Sequence, residues 1–434
     1  MKKFSSIAIF VTLAICLGLV YKYQWKGDKG NAWKSTINSD GYGYYAYLPC
    51  IFIYHHLDYK RAYNEEIKIR PEAANFAIAL PQNRFIDKYF VGVALLLAPF
   101  FLIAYLLSYL LGYGTGGYEF LFQASVGIGA LFYLTVGLIF IRKLVKLYHI
   151  SEFITCVTLL LIVLGTNLLY YATIEPSMSH VYSFGLTAVF LFYTKKSMDD
   201  FRLKNLIPMV VVISILVLIR PTNLLSLTFI PVIAGSSKDT SSFIARFFKS
   251  KKSFLLLFIA FAILFIQCIL WYLQTGNFIT WSYSNEGFNF REFHFFDILF
   301  SYRNGWFIYT PIMLIAVLGG LITLYRQNIF LFFNALLFII LVTYILSSWW
   351  AWWYGGAFGL RAFIDFYSIF ALLLALFINS LTSIWSKISV LFIAFLCIGL
   401  NLFQTKQYIN NILPCDGMTK EKYWKIFLQN NPSK

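Results

Sequence analysis

The sequence predicts an all-α polytopic membrane protein. Of its 434 residues 59% are hydrophobic and only 12% are charged, whereas soluble domains carry about 25% charged residues. Many apolar runs approach the roughly 20 residues with which a helix crosses the hydrocarbon of a bilayer. The short alternating strands of a membrane β-barrel are not evident in the sequence. We therefore predict about eleven membrane-spanning helices, in a range of roughly ten to thirteen.

The predicted spans begin close to the N-terminus. The first follows Lys2 and Lys3, and because no small-residue cleavage site comes after it, we interpret it as an anchor and not as a signal peptide. The run at 206–235 is interrupted by the sequence IRPTN, so two short spans are predicted there. The full set of predicted spans covers residues 4–21, 119–141, 153–171, 181–194, 206–219, 224–235, 253–273, 306–324, 329–347, 362–380 and 388–403.

Basic residues predict how these helices are oriented. The formal net charge is +16. No basic stripe with interleaved base-stacking aromatic residues is present, so membrane lipids and not nucleic acids are the expected partners. By the positive-inside rule, the short connections that carry most lysines and arginines face the cytoplasm, and the other connections face outward. These basic connections are 142–149, 195–205, 236–252, 325–328 and 380–387.

The segment 89–111 is apolar enough to cross the membrane, but a crossing would place a basic connection or the basic N-terminus outside. Pro99 lies in the middle of this segment, where a proline removes a backbone donor and breaks or kinks a helix. We therefore predict two short re-entrant or interfacial helices, which leave residues 22–118 as one large extracytoplasmic loop. The chain is then an integral membrane domain, 1–403, with an extracytoplasmic tail at 404–434.

The six cysteines form no metal or redox motif. Cys50 and Cys415 are both predicted on the outer side and could pair, although unpaired thiols are the favoured interpretation. No cofactor and no metal site is predicted, because the carboxylates are few and scattered; a divalent cation stays an open alternative. The other cysteines lie in apolar runs, where a small buried side chain is their ordinary role, and they are Cys16, Cys156, Cys268 and Cys397.

Asp40 is the first candidate for a functional residue, since ionisable groups within or beside membrane spans are costly to keep. It lies in the sequence NSDGYGYYAYLP, predicted to be a flexible loop next to the bilayer. An aspartate followed by glycine is equally well explained as a turn former. The functional alternative is a general base, flanked by the rings of Tyr44 and Tyr45, that accepts a proton from a substrate hydroxyl.

A second candidate region is the sequence WWAWWYGGAFGLRAFID. Its aromatic residues, among them Trp352, Trp353 and Tyr354, form an interfacial aromatic belt in the simplest interpretation. The rings are also suited to pack against a sugar or an isoprenoid, and the Arg361 guanidinium is suited to bind phosphate through two hydrogen bonds. Asp365, four residues later, is a further candidate for binding the sugar, although it could merely be the helical ion-pair partner of that arginine.

Four further candidates lie in the connections predicted to face outward. Arg220 lies at the IRPTN break, where a cation either binds substrate or extends to lipid headgroups. Glu175 and His180 lie close together in TIEPSMSHVYSF, where a structural hydrogen bond and a role in proton transfer are both reasonable. Arg303, in SYRNGWF, completes the cationic set, with headgroup contact as the alternative.

Together these motifs resemble the GT-C superfamily of membrane glycosyltransferases, which includes protein O-mannosyltransferases and aminoarabinose transferases. The resemblance is carried by an aspartate in the first outer loop, by IRPTN between two short spans and by WWYGGAFGLR before a late span. GTNLLYYAT and MSHVYSF fit a bacterial branch of that superfamily, and the similarity covers roughly residues 30–380.

The resemblance implies a transferase in a bacterial cytoplasmic membrane whose active site faces outward. A single displacement at the sugar would make this transferase inverting. A polyprenyl-phosphate-linked sugar would be the donor, and a hydroxyl of a glycan, lipid or protein the acceptor. Asp40 would be the base, although here glycine follows it where mannosyltransferases commonly carry a second acidic residue. We add the hypothesis that Arg361, helped by Arg220 or Arg303, binds the donor phosphate. A transporter or flippase for an anionic lipid or lipid-linked glycan is the alternative, and an inactive assembly partner is a third possibility.

Overall fold

The structure is a computed structural model, and 74% of it is helical. Among the residues it describes, strands occur in one antiparallel pair, Ala77–Leu80 (β1) with Arg84–Asp87 (β2). This content agrees with the all-α class expected from the sequence. The described residues are 4–26, 32–69, 76–80 and 84–430.

The helices vary from four residues to 28, and several are extended by tighter or wider turns. A π-helical turn, Tyr21–Lys26, continues the first helix, and another, Cys50–Tyr54, continues the second; Ala32–Ser35, Pro221–Phe229 and Arg361–Phe366 are 3₁₀ segments. The α-helices are Phe4–Val20 (α1), Asp40–Pro49 (α2), Lys60–Ile69 (α3), Gly92–Leu110 (α4), Phe120–Leu147 (α5), Glu152–Leu164 (α6), Leu168–Thr173 (α7), His180–Asp199 (α8), Leu203–Ile219 (α9), Ile230–Ala234 (α10), Ser237–Lys249 (α11), Lys252–Thr275 (α12), Phe295–Phe300 (α13), Trp306–Tyr309 (α14), Pro311–Gln327 (α15), Ile329–Ser347 (α16), Tyr367–Ser380 (α17), Ile384–Ile409 (α18) and Lys420–Ile426 (α19).

Helices that could cross a membrane dominate the fold. Shorter apolar helices accompany the long ones at α6, α9, Pro221–Ala234 and α15. The predicted span 181–194 falls in α8, which is buried over most of its length. A membrane protein is thus supported, whereas the number of about eleven crossings stays a prediction. Within the described residues, seven helices are long and apolar enough: Phe4–Lys26, Gly92–Leu110, Phe120–Leu147, Lys252–Thr275, Ile329–Ser347, Arg361–Ser380 and Ile384–Ile409.

The basic connections meet at one end of the helix bundle, which we call the basic end. Tyr148, Gly235 and Gln327 line one small cavity of about 280 Å³ there. The Lys195 ammonium lies 6.0 Å from the centre of the Tyr148 ring, and the Ser380 hydroxyl contacts the last turns of α15. α8 runs towards this end and α9 returns from it, so the start of α8 and the end of α9 lie at the opposite end, the site end.

The segment predicted as two short helices is one continuous helix, α4, with Pro99 inside it. The expected break at Pro99 is therefore wrong. A proline is tolerated inside a membrane helix when neighbouring groups support the backbone around it. Pro99 has no N–H to donate to the Leu95 carbonyl, and the Tyr133 hydroxyl of α5 donates to the adjacent carbonyl, that of Leu96, at 3.1 Å. Gly92 begins α4 against the backbone of Ile219 at the site end. By length and composition α4 is also able to cross a membrane.

The stretch NSDGYGYYAYLP is not a flexible loop, because its residues from Asp40 onward form the helix α2, which is buried almost throughout. The Tyr45 hydroxyl donates to the Gly117 carbonyl at 2.6 Å, and that of Tyr47 donates to the Tyr89 carbonyl at 2.7 Å. The Tyr89 ring approaches α2 so closely at Gly43 that a Cβ atom there would collide with it. Burial of this kind stabilises a helix that its glycines would otherwise weaken.

The predicted tail packs back onto the site end. The boundary expected at 403 falls within α18, which continues to Ile409. The ring of Tyr423, in α19, lies 5.1 Å from that of Tyr302 between ring centres. Cys415 in this tail is exposed and Cys50 is buried, and both are unpaired, so the disulfide considered above is not formed.

Candidate functional site

A cavity of about 410 Å³ lies at the site end, and we call it the aromatic cavity. It gathers side chains from α2, from the start of α8, from the end of α9 and from the connections that follow α12 and α16. Polar and charged groups therefore reach one space from distant parts of the chain. The candidates from the sequence that line it are Asp40, Tyr44, His180, Arg220, Trp353, Tyr354 and Arg361.

Asp40 and Arg361 form an ion pair in the wall of this cavity. The Asp40 Oδ2 atom lies 2.8 Å from Arg361 Nη2, and the two side chains are 20% and 12% exposed. Asp40 is the first residue of α2, and Arg361 follows a sharp turn at Gly359, whose φ of +61° favours glycine. The second guanidinium nitrogen, Nη1, lies 3.4 Å from the sulfur of Met178.

The Asp40 carboxyl is held in its ionised form. Burial raises its pKa, but the positive charge of Arg361, a hydrogen bond from Tyr89 and the charge of Arg220 together outweigh burial and leave the pKa below its ordinary value. The stability that this ion pair contributes is therefore present above the pKa of an unfolded aspartate, about 3.9. It is lost as the pH falls through the lower pKa of the folded protein.

Asp365 lies behind the aromatic cavity and joins two candidates that line it. Its Oδ1 atom lies 2.8 Å from His180 Nδ1, and its Oδ2 atom lies 3.6 Å from Arg220 Nη1. The interpretation of Asp365 as the partner of Arg361 is therefore wrong. Residues 361–366 form a 3₁₀ helix, and with about three residues per turn, positions four apart lie on different faces.

Asparagine at position 365 is expected to destabilise the protein. Asp365→Asn keeps the shape of the side chain but removes the anion beside Arg220, which is 22% exposed and can still reach the cavity. We expect the free energy of unfolding to fall by about 2 kcal/mol, less than for a fully buried pair. Thermal unfolding in detergent measures this. Thr187→Val, which removes only a neutral hydrogen bond to the Asp365 carbonyl, is the control, and equal stability of Asp365→Asn and wild type would contradict the expectation.

Besides Asp365 and Glu175, three candidates from the sequence do not line the aromatic cavity. Tyr45 is a core residue of α2, and Trp352 stacks against His294 with 5.4 Å between ring centres. Arg303 binds both carboxylate oxygens of Asp416, at 2.7 and 3.0 Å. Its guanidinium also lies 3.6 Å from the Trp353 ring centre, so it supports the edge of the cavity.

Glu175 lies in a different cavity, whose volume is about 460 Å³. Its Oε1 atom accepts a hydrogen bond from the Tyr170 hydroxyl at 3.1 Å. Glu175 and His180, which are close in sequence, thus contribute to neighbouring but separate spaces. We call the one that holds Glu175 the second cavity.

Several residues of the aromatic cavity were not identified as site residues from the sequence. Lys88 and Glu286 pair across it, with 2.6 Å between Nζ and Oε1. The Tyr283 and Trp281 rings line the same space. For Trp281, Tyr283 and Glu286 the signal was the sequence WSYSNE, where aromatic residues are followed by polar ones in a long connection that was predicted to face outward.

Trp281 and Trp350 are both more than half exposed while they also line the aromatic cavity. The cavity therefore has aromatic groups at its outer edge as well as inside. Among the described residues, no three His, Cys, Asp or Glu side chains lie close enough to hold a metal ion.

No family model, curated protein or solved structure matches this chain. The resemblance to GT-C glycosyltransferases therefore stays a prediction from sequence motifs, and the function has to be argued from the site.

Proposed function

We propose that the protein transfers a hexose or pentose from a polyprenyl-phosphate-linked donor to an acceptor hydroxyl at the outer face of a bacterial cytoplasmic membrane. One observation carries the proposal. A carboxylate suited to accept a proton and a guanidinium suited to bind phosphate meet in the wall of one aromatic cavity, 2.8 Å apart. The reaction needs both groups near the same carbon atom of the sugar.

The donor phosphate binds between Arg361 and Arg220 in this proposal. Both guanidinium groups line the aromatic cavity, and guanidinium groups bind phosphate oxygens in pairs of charge-assisted hydrogen bonds. The isoprenoid extends past the exposed rings of Trp281 and Trp350 into the bilayer. Aromatic side chains with one apolar and one polar side are suited to that boundary.

Transfer is a single displacement. The acceptor oxygen forms a bond to the anomeric carbon from the side opposite the phosphate, and its proton passes to the Asp40 carboxylate. The bond between the anomeric carbon and the phosphate oxygen breaks, and its electron pair stays on the polyprenyl phosphate. Arg361 and Arg220 stabilise that growing negative charge. The configuration of the anomeric carbon is therefore inverted.

Donor binding also adjusts the basicity of Asp40. Without a donor, Arg361 is one of the groups that lower the pKa of the Asp40 carboxyl, whereas burial raises it. A phosphate that draws Arg361 away removes a lowering influence and leaves burial in place. The pKa of Asp40 then rises towards the range in which a carboxylate is an effective base.

The proposed orientation of the protein in the membrane is inferred from the basic end. All the basic connections lie opposite the aromatic cavity, and the positive-inside rule assigns such connections to the cytoplasm. The small cavity at the basic end is lined mainly by apolar side chains. We therefore favour an outward-facing enzyme over a transporter, which needs charged groups along a path through both leaflets.

Mass spectrometry of cells tests the proposed function. Glycolipids and surface glycans are compared in cells that produce the wild type, Asp40→Asn or no protein, with equal membrane levels of the two proteins. We expect one species to carry an added hexose or pentose mass only with the wild type. The same glycan profile in all three strains would contradict glycosyl transfer. An unmodified lipid-linked sugar that accumulates on the cytoplasmic side only without the protein would favour a flippase.

A further inference from the structure

The second cavity shares a wall with the aromatic cavity. Met178 lines the second cavity, and its sulfur touches Arg361, which lines the aromatic one. The Asp40–Arg361 pair thus lies at the boundary between the two spaces. At three places, consecutive residues line the two cavities, one residue each: Ser39 with Asp40, Gly356 with Gly355, and Cys415 with Asp416.

The tail forms part of this second space. The Ala357 amide donates to the Cys415 carbonyl at 3.1 Å, which holds the tail against the glycine pair before Arg361. Asn411 and Leu413, also in the tail, line the same cavity. The cavity is therefore lined by the residues just before α2, by the connection after α7 and by the tail.

We propose that the second cavity binds the acceptor and that this acceptor is a carbohydrate. The inference rests on the proposed function, in which the donor phosphate occupies the aromatic cavity. A single displacement requires the acceptor oxygen to approach from the side opposite the phosphate. The second cavity adjoins the Asp40–Arg361 pair through Ser39, the neighbour of Asp40 in the chain, and through Met178, which contacts Arg361. In this proposal the acceptor hydroxyl reaches the Asp40 carboxylate from that side.

The lining of the second cavity indicates the chemical class of its ligand. Glu175, Asn38 and Asn411 offer carboxylate and amide groups, which form hydrogen bonds with hydroxyl groups. The buried Oδ1 atom of Asn38 has no hydrogen-bond partner among the described residues. The Tyr170 and Tyr408 rings meet edge to face, 5.0 Å apart, and provide flat surfaces for the C–H side of a sugar ring.

Size also favours a sugar. A space of about 460 Å³ falls within the range of small-ligand sites, about 300–1,000 Å³, and suits one or two sugar rings. A lipid chain would place methylene groups against the Glu175 carboxylate and the Asn411 amide. Burial of such polar groups without hydrogen bonds is unfavourable.

Cys415 provides a direct test of occupancy. It is exposed and lines the second cavity, so a ligand there should shield it from N-ethylmaleimide. The probe is the carbohydrate fraction released from envelopes of cells with Asp40→Asn, which retain the unmodified acceptor. Peptide mass spectrometry of the full-length protein in detergent measures the alkylation rate. Cys268, in α12, lines neither cavity and is the internal control.

We expect the fraction to slow alkylation of Cys415 about tenfold, as for a ligand at some ten times its Kd, and to leave Cys268 unaffected. Periodate, which oxidises sugars by cleaving the bond between neighbouring carbon atoms that carry hydroxyl groups, should abolish the shielding. Glu175→Gln should weaken the affinity about tenfold through loss of one charge-assisted hydrogen bond, so the same fraction should slow alkylation of Cys415 only about twofold. Four tryptophans line the aromatic cavity, so tryptophan fluorescence can follow the binding of undecaprenyl phosphate there. This binding should be unchanged in Glu175→Gln, because Glu175 does not line that cavity.

Three results would overturn the inference: no shielding, equal shielding after periodate, or shielding by undecaprenyl phosphate alone. Because shielding reports binding and not transfer, its outcome is independent of the glycan comparison. Shielding without a change in cell glycans would remove the transferase function but leave a carbohydrate site. A glycan change without shielding would leave the transferase and remove this site.

Discussion

Replacing Asp40 by asparagine is expected to slow sugar transfer by about 10²–10⁴-fold, the usual contribution of a general base. The amide has nearly the same size as the carboxylate but cannot accept the proton of the acceptor hydroxyl. The binding of undecaprenyl phosphate should be retained or strengthened, since Arg361 loses the anion that competes with the phosphate. Transfer in membrane vesicles and fluorescence titration of the purified protein measure the two effects separately.

Asp58→Asn is the matched control for this change. Asp58 lies in the connection between α2 and α3 and pairs with His56 at 3.1 Å, with 43% of its side chain exposed. It does not line the aromatic cavity. Transfer by Asp58→Asn should equal that of the wild type. Near-normal turnover by Asp40→Asn would remove the base from the mechanism. A folded Asp40→Asn protein that also fails to bind undecaprenyl phosphate would assign Asp40 to donor binding instead.

Replacing Arg361 by glutamine is expected to weaken the binding of undecaprenyl phosphate by about 10–100-fold, since hydrogen bonds to charged groups contribute about 1.5–3 kcal/mol. The change also leaves the Asp40 carboxylate, whose side chain is only 20% exposed, without its ion-pair partner in the cavity wall. We expect a loss of about 3 kcal/mol in the free energy of unfolding. Fluorescence titration and thermal unfolding measure the two effects.

Two further variants separate stability from function at this pair. Asp40→Asn combined with Arg361→Gln removes both charges, so most of the lost stability should return while neither donor binding nor transfer does. Arg361→Lys keeps the positive charge but loses the bidentate hydrogen bonds of a guanidinium. It should bind the donor with an affinity between those of the wild type and Arg361→Gln. If Arg361→Gln binds undecaprenyl phosphate as tightly as the wild type, the donor phosphate site is elsewhere.

The membrane helices could be predicted from the sequence because they depend on the composition of each local segment. Apolar runs identify membrane helices wherever backbone groups must be satisfied within one segment. The break at IRPTN was predicted correctly: α9 ends at Ile219, and a 3₁₀ segment begins at Pro221. The break predicted at Pro99 is wrong, because a helix can continue through a proline when other helices support the backbone near it, as the Tyr133 hydroxyl does at the Leu96 carbonyl.

The residues of the site could be predicted only in part from the sequence. Costly charges next to membrane spans suggested Asp40, Arg220 and Arg361, and the structure brings all three to one cavity. Tyr45 and Trp352 were wrongly grouped with them, since an aromatic residue near a candidate is not distinguished by sequence from one that packs into the core. Lys88 and Glu286 form a pair across the cavity whose proximity no local pattern indicates.

The sequence by itself determined that this chain is a helical membrane protein. It also indicated which charged residues lie within or beside membrane spans, where charge is energetically costly. Only the tertiary structure decided that Asp40 pairs with Arg361 and that Asp365 pairs with His180 and Arg220. The physical reason is that hydropathy and helical period are properties of neighbours along the chain. An ion pair between distant residues depends on how whole helices pack, and on whether a short segment such as 361–366 winds as a 3₁₀ or an α-helix.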